Sequence, residues 1–300
     1  MRHKTIDSFR FITWNAVKRS PKHALAVIKS LTEVSNSLTV AALQEIPRWL
    51  PAAAAKSKYL LVINSSADCG VLLPKSWEPL IRKVIIRPYW TAVVVGKFVF
   101  ASAHLLWDKS QQQADPARDE PLSAAEEVLH EFNDFKQSLV DVNCEDISSN
   151  SLTEFIGVDA NLSLWQNPWM ESVGTSVFRK TSGTQTSKRI FSSWLSSHHY
   201  VCSNSWSQQD HKEAWTREAK RRKTTAPVQR SQIDYIITKQ PHVEHICTRV
   251  CHEWQRDPWL STSDHAPVEG EVAGLPQNIC VPRDPPSMKG WQPRDSEAEA

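Results

Sequence analysis

The sequence predicts a large α/β domain of sandwich size, and three observations carry that reading. Short runs of β-branched and aromatic residues recur along most of the chain. Between them, longer segments place apolar residues three and four apart, the spacing of a helix with one buried stripe. Finally, 300 residues, 40% hydrophobic and 23% charged, are enough to enclose a sizeable core as a soluble globular protein.

Taken in order, Phe9 to Trp14 ("FRFITW") reads as a strand ending at Asn15. Ser20-Pro21 supplies a helix cap and a first-turn proline, and Ala24, Val27, Ile28 and Leu31 follow as one helical stripe. Leu38 to Leu43 ("LTVAAL") is a continuous apolar run of strand length, expected to be covered on both faces, and it ends at Gln44-Glu45. Leu60 to Ile63 and Val71 to Leu73 are short strands. In Tyr89 to Leu105, two β-branched arms flank Gly96-Lys97, which suits a two-residue hairpin with Gly at the first turn position; the second arm ends at His104. A polar stretch, 107–121, leads to a helix over Ser123 to Val140 with Ala124, Val128, Phe132, Phe135 and Leu139 on one face. Leu152 to Val158 is a strand that ends in Asp159 and Asn161. Ile190 to Leu195 reads as helix, Ile233 to Thr238 as a strand, and Ala266 to Val272 as the last one. The domain is expected to span 1–273. The Pro-rich and then acidic 274–300 cannot bury a core and reads as a disordered tail.

A net charge of +2 says little about partners, so a polyanionic ligand has to be argued from a local patch. The 13 Trp promise a large aromatic core, a stacking surface, or both. Six scattered cysteines without a leading secretory signal fit free thiols and an intracellular, nuclear or cytoplasmic location. Cys247, Cys251 and His252, with His245 nearby, resemble zinc ligands. The spacing lacks a second pair, however, and period-two apolar residues through Val243–Ile246 favour a strand with ordinary core thiols. No apolar run is long enough to span a bilayer.

Polar residues of catalytic type gather at strand ends rather than strand middles. They are Asn15, Gln44 and Glu45, His104, Asp159 and Asn161, Asp234, and Asp264-His265 in "STSDHAPV". Asp234 opens its strand, which an antiparallel neighbour brings to the same edge. Four carboxylates on one rim repel one another unless a cation neutralises them, and all-oxygen ligation favours Mg²⁺ or Mn²⁺ over zinc. Such a site suits phosphoester hydrolysis.

These residues also carry a resemblance. "FITWNA", "ALQEIP", "ASAHL", "IGVDANL", "QIDYIIT" and "STSDHAPV" resemble, in this order over residues 9 to 272, the motifs of the endonuclease/exonuclease/phosphatase superfamily. That superfamily includes pancreatic deoxyribonuclease, apurinic endonucleases, neutral sphingomyelinases, inositol polyphosphate phosphatases, deadenylases and the endonuclease domains of non-LTR retrotransposons. The resemblance implies a deoxyribonuclease I-like four-layer α/β sandwich, two packed sheets flanked by helices. It implies Glu45 as principal metal ligand with Asn15 beside it, and Asp264 as a further metal or structural ligand. Asp159 would orient or deprotonate the attacking water, with Asn161 on the scissile phosphate. His265 would bind phosphate and share proton transfer, its ring held by Asp234. His104 matches a strand-end histidine of the deoxyribonuclease and sphingomyelinase branches, although the sequence names no acidic partner for it. Two departures stand out. Val17 occupies a position that is often acidic, and Gly157-Val158-Asp159-Ala160-Asn161 is one residue longer than the usual Gly-Asp-x-Asn.

The segment Asp210 to Arg230 holds seven Lys/Arg against three acids and leads into the Asp234 strand. Arg217, Lys220, Arg221, Arg222 and Lys223 are therefore expected to contact nucleic-acid phosphates. Trp165 and Trp169, in a Pro-broken loop past Asn161, offer faces on which bases can stack; packing beneath the loop is the plainer use. The expected activity is hydrolysis of nucleic-acid phosphodiesters by a Mg²⁺-dependent DNA endonuclease. Trp215-Thr216-Arg217 and the "GWQPRD" tail look most like the retrotransposon type. The alternatives are a related phosphoesterase acting on RNA, a lipid head group or an inositol phosphate, and a decayed scaffold that only binds nucleic acid. No membrane is expected as partner, and no protein partner is inferable.

Overall fold

The computed structural model describes residues 8–16, 38–47, 50–64, 66, 68–105, 130–131, 133–135, 137, 152–164, 172–173, 185–206, 212–219, 229–239, 245–253 and 263–273. Its strands, in chain order, begin with β1 (Ser8–Asn15), β2 (Leu38–Gln44), β3 (Tyr59–Ile63), β4 (Cys69–Pro74) and β5 (Ile81–Ile86). β6 (Trp90–Val95), β7 (Phe98–His104), β8 (Thr153–Asp159) and β9 (Tyr200–Cys202) follow. β10 (Arg217–Ala219), β11 (Gln229–Ser231), β12 (Asp234–Lys239), β13 (Ile246–Val250) and β14 (Val268–Ala273) complete the set.

Two six-stranded sheets result, ordered β13-β14-β1-β2-β4-β3 and β5-β6-β7-β8-β12-β9, with β10-β11 as a separate ribbon. Each sheet has one parallel pair at its centre, β1–β2 and β7–β8, and is otherwise antiparallel. Parallel neighbours end on the same side. The carboxyl ends of both central pairs carry Asn15 and Gln44, and His104 and Asp159.

The sheets face each other across a core rich in phenylalanine. Phe9 meets Phe100 and Phe155 edge-on, each at a ring-centroid distance of 5.3 Å. Phe11, Val40, Val71, Val93, Ile236 and Val268 fill in around them. The alternate side chains of β1 and β2, Ile12, Trp14, Ala41 and Leu43, pack outward under the helix Leu50–Ala55. On the far side, Ala92, Val94, Ile156, Val158 and Tyr235 pack against Phe191, Trp194 and Leu195 of the helix Gln185–Ser197. Both sheets are thus covered on both faces, as the uninterrupted apolar run of β2 implies. At Gly157 the sheets come close together: a Cβ there would stand 2.4 Å from the Ala42 Cβ.

Several expectations need correction. β5, "IRKVII", carries no strand signal in the sequence because Arg82 and Lys83 interrupt its apolar pattern. It is an edge strand with a register irregularity between Ile81 and Lys83, a position that tolerates charge. The three-residue β9 is too short to leave a pattern. Of the segment expected from Val243, residues 243–244 lie outside the described residues and β13 runs from Ile246; Cys247 on it is exposed rather than core, while Cys251 is buried. The expected helix Ile190–Leu195 runs longer, from Gln185 to Ser197. The helix expected at 20–31, the tail from 274, Cys144 and Cys280 lie outside the described residues. So does most of the helix expected at 123–140, whose described residues are helical. Among the described residues, no helix is long and apolar enough to cross a membrane.

Candidate active site

Strand register gathers the site. In the second sheet His104, Asp159 and Asp234 lie in one row, since His104 pairs with Asp159 across β7–β8 and Asp159 with Asp234 across β8–β12. In the first sheet β14 runs antiparallel to β1, so the segment before it, carrying Asp264 and His265, arrives beside the carboxyl end of β1. The two sheets then meet rim to rim. Asn15 bridges them, its Nδ2 donating to Glu45 Oε1 at 3.2 Å and to Asp159 Oδ2 at 2.8 Å. The other carboxylate oxygen of Asp159 accepts the Asn161 N–H at 2.9 Å, so the plane of this buried carboxylate is fixed from both sides.

His265 is held as tightly. Its Nδ1 lies 3.1 and 3.0 Å from the two Asp234 oxygens, which makes Nδ1 the donor and leaves Nε2 facing the rim. The Ser263 hydroxyl accepts the His265 N–H and donates to the Asn15 carbonyl, and Trp14 Nε1 donates to the His265 carbonyl. Burial alone favours a neutral ring. The charge and hydrogen bond of Asp234, with Asp159 and Asp264 behind, outweigh it and raise the His265 pKa to about 9. Burial and the nearby Asp159 push Asp234 upward, against His265. Thr216 supports Asp234 from beneath, its Oγ1 accepting the N–H groups of Ile233 and Asp234, both at 3.0 Å.

His104, for which the sequence names no acidic partner, has two acids near it: its Nε2 lies 3.8 Å from both Glu45 Oε1 and Asp159 Oδ2. Its Nδ1 is buried without a hydrogen-bond partner. Asn161 donates its Nδ2 to the Leu105 carbonyl at 3.1 Å. Asp264 stands on the rim, 3.2 Å from Arg217 Nε and 3.9 Å from His265 Nε2. Arg217 sits in register with His265 at the root of the β10–β11 ribbon, across which Arg217 pairs with Ser231 and Ala219 with Gln229. Gln44 points away from the rim into the seam between the sheets, where its Nε2 bonds Thr13 Oγ1, Ser102 Oγ and the Gly157 carbonyl. Lys220, Arg221, Arg222, Lys223, Trp165, Trp169 and Val17 lie outside the described residues.

Ser263, Thr216 and Trp14 escape a sequence reading as site residues. Ser263 has a local signal, a hydroxyl two residues before a backbone N–H it can bond. Thr216 and Trp14 reach partners 18 and 251 positions away, and no local pattern announces that.

Asp159, Asp234 and His265 form a buried group that could hold a metal ion, with ligand atoms all within 4.8 Å of one another. It is the one such group among the described residues. Two unpaired carboxylates that close repel by roughly 3 kcal/mol at an effective dielectric of about 20, so compensating charge is required. The imidazolium of His265 supplies one part. Glu45, bridged to Asp159 through Asn15, adds a third carboxylate that a single imidazolium does not balance. An oxygen-rich donor set with excess negative charge fits a hard divalent cation.

No protein-family profile and no curated protein sequence matches the chain. Solved structures do. The endonuclease domain of TRAS1, a telomere-specific non-LTR retrotransposon, is 12% identical with a TM-score of 0.53, over 89% of this chain and 100% of that one. The 3′ phosphatase NExo from Neisseria, bound to a product DNA hairpin, is 14% identical with a TM-score of 0.60, over 88% of this chain and 99% of that one. An AP endonuclease from Archaeoglobus fulgidus is 12% identical with a TM-score of 0.59, over 89% of this chain and 100% of that one. Two six-stranded sheets back to back, a site on their common rim and likenesses over the whole length of these proteins give the chain the deoxyribonuclease I-like fold of the endonuclease/exonuclease/phosphatase proteins.

Proposed function

We propose that the chain is a divalent-cation-dependent phosphodiesterase that hydrolyses the backbone of nucleic acid, a DNA endonuclease of the retrotransposon type. One observation carries the reading. A carboxylate fixed on both oxygens, Asp159, shares a rim with a carboxylate–imidazolium pair, Asp234–His265, in one row of strand register. This is the acid–base arrangement that phosphodiester hydrolysis needs.

Glu45 and Asn15 would hold the cation, with Asp264 as an outer ligand. His265, its Nδ1 committed to Asp234, keeps Nε2 for the phosphate. When bound, the cation offsets phosphate charge and polarises the scissile group. Asp159 keeps a lone pair on each oxygen beyond the bonds from Asn15 and Asn161, and takes the proton of the attacking water. His265 donates from Nε2 to a phosphate oxygen, and Asp234 keeps that nitrogen aimed at the rim. His104 stabilises charge at the leaving oxygen, and Asn161 contacts the phosphate through its second amide hydrogen.

DNA as substrate rests on the basic run that begins at Arg217 and on the product hairpin held by the Neisseria phosphatase. The retrotransposon type rests on the TRAS1 likeness and on Trp215-Thr216-Arg217. The test is purified protein with supercoiled plasmid, end-labelled RNA and a chromogenic phosphodiester, each with Mg²⁺, Mn²⁺ or EDTA. Plasmid nicking only with a cation is expected. Undiminished activity after exhaustive chelation overturns the cation's role. Cleavage of RNA or of the small diester without plasmid nicking overturns DNA as substrate.

A further inference from the structure

Glu45 is the one carboxylate of the site that directly follows a strand in a left-handed backbone conformation. Its φ is +48°, a region that costs a residue with a Cβ about 1–2 kcal/mol. Something must hold it. The Glu45 N–H donates to the Asp68 carbonyl at 2.9 Å. Asp68 is in turn held by Asn64, whose Oδ1 accepts the N–H of Asp68 at 2.9 Å and of Cys69 at 3.2 Å. The Asn64 Nδ2 donates to the carbonyls of Arg87 at 3.2 Å and Pro88 at 2.8 Å. The next carbonyl, that of Tyr89, accepts the backbone N–H of His104 at 3.0 Å. Asn64 is buried and spends two acceptor sites and both amide hydrogens in this way, the full capacity of its side chain.

We propose that Asn64 is a positioning residue that sets Glu45, and through Tyr89 the strand end of His104, for divalent-cation binding. The inference rests on Glu45 being a ligand of the cation. Asn64 itself touches neither substrate nor cation. Its Oδ1 fixes the loop carbonyl that pins Glu45 in the left-handed region, and so fixes where the Glu45 carboxylate stands relative to Asn15 and Asp159.

The test is binding of Mn²⁺ alone, followed by calorimetry well below the unfolding temperature, with amide exchange of the cation-free protein. Asn64→Ala should weaken Mn²⁺ binding about tenfold or more, the usual effect of losing a partner behind a metal ligand. It should also speed exchange of the Glu45 amide, and lower kcat with little change in KM. Asn64→Asp keeps an oxygen for the Asp68 and Cys69 amides but sets its other oxygen against the Arg87 and Pro88 carbonyls, so it should recover only part of the Mn²⁺ affinity that Asn64→Ala loses. Thr91→Val is the control, because it removes only the Thr91 Oγ1 bond to the Cys69 carbonyl and should lower stability while leaving Mn²⁺ binding unchanged. Folded Asn64→Ala with parental Mn²⁺ affinity overturns the proposal, as does an equal loss in Thr91→Val. Glu45→Gln separates the two levels. Unchanged Mn²⁺ binding there overturns the ligand assignment itself, whereas loss there without loss in Asn64→Ala overturns only the role of Asn64. Should Asn64→Ala not fold, exchange in the unsubstituted protein decides. The amides of Glu45, Asp68 and Cys69 should open as one unit, and a Glu45 amide exchanging more than about tenfold faster than the other two would refute the coupling.

Discussion

Gly157→Ala should separate the two halves of the site without touching any reacting group. A methyl at this position would stand 2.4 Å from the Ala42 Cβ and 2.7 Å from both Cβ and Oγ1 of Thr13. Carbon atoms pack at about 3.5–4.0 Å, so the sheets must part by roughly 1 Å. Neither neighbour can yield by rotation: Ala42 has no rotamer, and Thr13 Oγ1 is engaged by Gln44 at 3.1 Å. Overpacking of this kind costs about 1–3 kcal/mol, and rigid neighbours place this site at the upper end. At about 2–4 °C per kcal/mol, Tm should fall by roughly 5–10 °C. Asn15 and Asp159 each lie two residues past the clash, and their 2.8 Å hydrogen bond crosses the seam. An opening of about 1 Å carries that bond past hydrogen-bonding range, so Mn²⁺ affinity and turnover should fall together in the folded variant. Ala42→Gly removes the nearest atom, and the double variant should recover at least about 1 kcal/mol over the sum of the single effects. Calorimetry of the four proteins measures this cycle. Gly157→Ala within about 0.5 kcal/mol of the parent, or strict additivity with Ala42→Gly, would refute the reasoning.

The charge of His265 predicts an NMR titration near pH 9 in the cation-free protein, and Asp234→Asn should lower it because burial then acts against less opposition. Its folded pKa lies above the unfolded one, so the stabilisation is complete below pH 6.5 and fades as pH rises through 9; the gap corresponds to about 3 kcal/mol, readable by urea unfolding across that window. Asp159→Ala and His265→Ala should each remove most turnover and the double variant little more, since groups sharing one transition state are not additive; multiplicative losses would argue against a shared site. Changing Lys220, Arg221, Arg222 and Lys223 together to Gln should lower the slope of log K against log salt by about 0.9 for each duplex-DNA phosphate that these cations neutralise, and identical slopes would remove this run from the DNA-binding surface.

What the sequence made legible follows from strand arithmetic. Asn15, Gln44, His104 and Asp159 each close an apolar run, and the two parallel pairs bring those closures to one rim. Asp234 opens its run and reaches the same rim because β12 is antiparallel to β8. The parts that stay hidden depend on distant chain segments. Ser263 and the Asn15 carbonyl are 248 residues apart, and Asn15 and Asp159 are 144 apart, so only the closed sandwich makes them neighbours. Asn64 looks like the end of a short strand, and nothing local distinguishes it from a turn residue. Gln44 belongs to the same strand end as Glu45 yet faces the seam, because successive side chains on a strand point to opposite faces and Gln44 is still in register with Asn15. β10 and β11 escape notice because a half-exposed ribbon has no apolar side to alternate.

Backbone strain gives a last test of which positions serve the site. Three non-glycine residues among those described have positive φ: Glu45 at 48°, Asn161 at 49° and His199 at 56°. His199 follows the helix ending at Ser197, where a left-handed residue is the ordinary way to release the last carbonyls. Glu45 and Asn161 terminate no helix. Each follows one strand of a central parallel pair, β2 or β8, and each turns the chain off its sheet at the common rim. The left-handed conformation costs a side chain about 1–2 kcal/mol, and the extra freedom of an unfolded glycine returns roughly half of that. Glu45→Gly should therefore be more stable than Glu45→Ala by about 0.5–1 kcal/mol, since both lose the carboxylate and only the Cβ differs. His199→Gly should exceed His199→Ala by a similar margin. Activity divides the two sites: both Glu45 variants should lose Mn²⁺ affinity and turnover, and both His199 variants should keep them. Urea unfolding with parallel Mn²⁺ titration reads both quantities. Alanine as stable as glycine at position 45 would show that the local strain is relieved in solution, and the pinning of Glu45 by the Asp68 carbonyl would then lose its purpose.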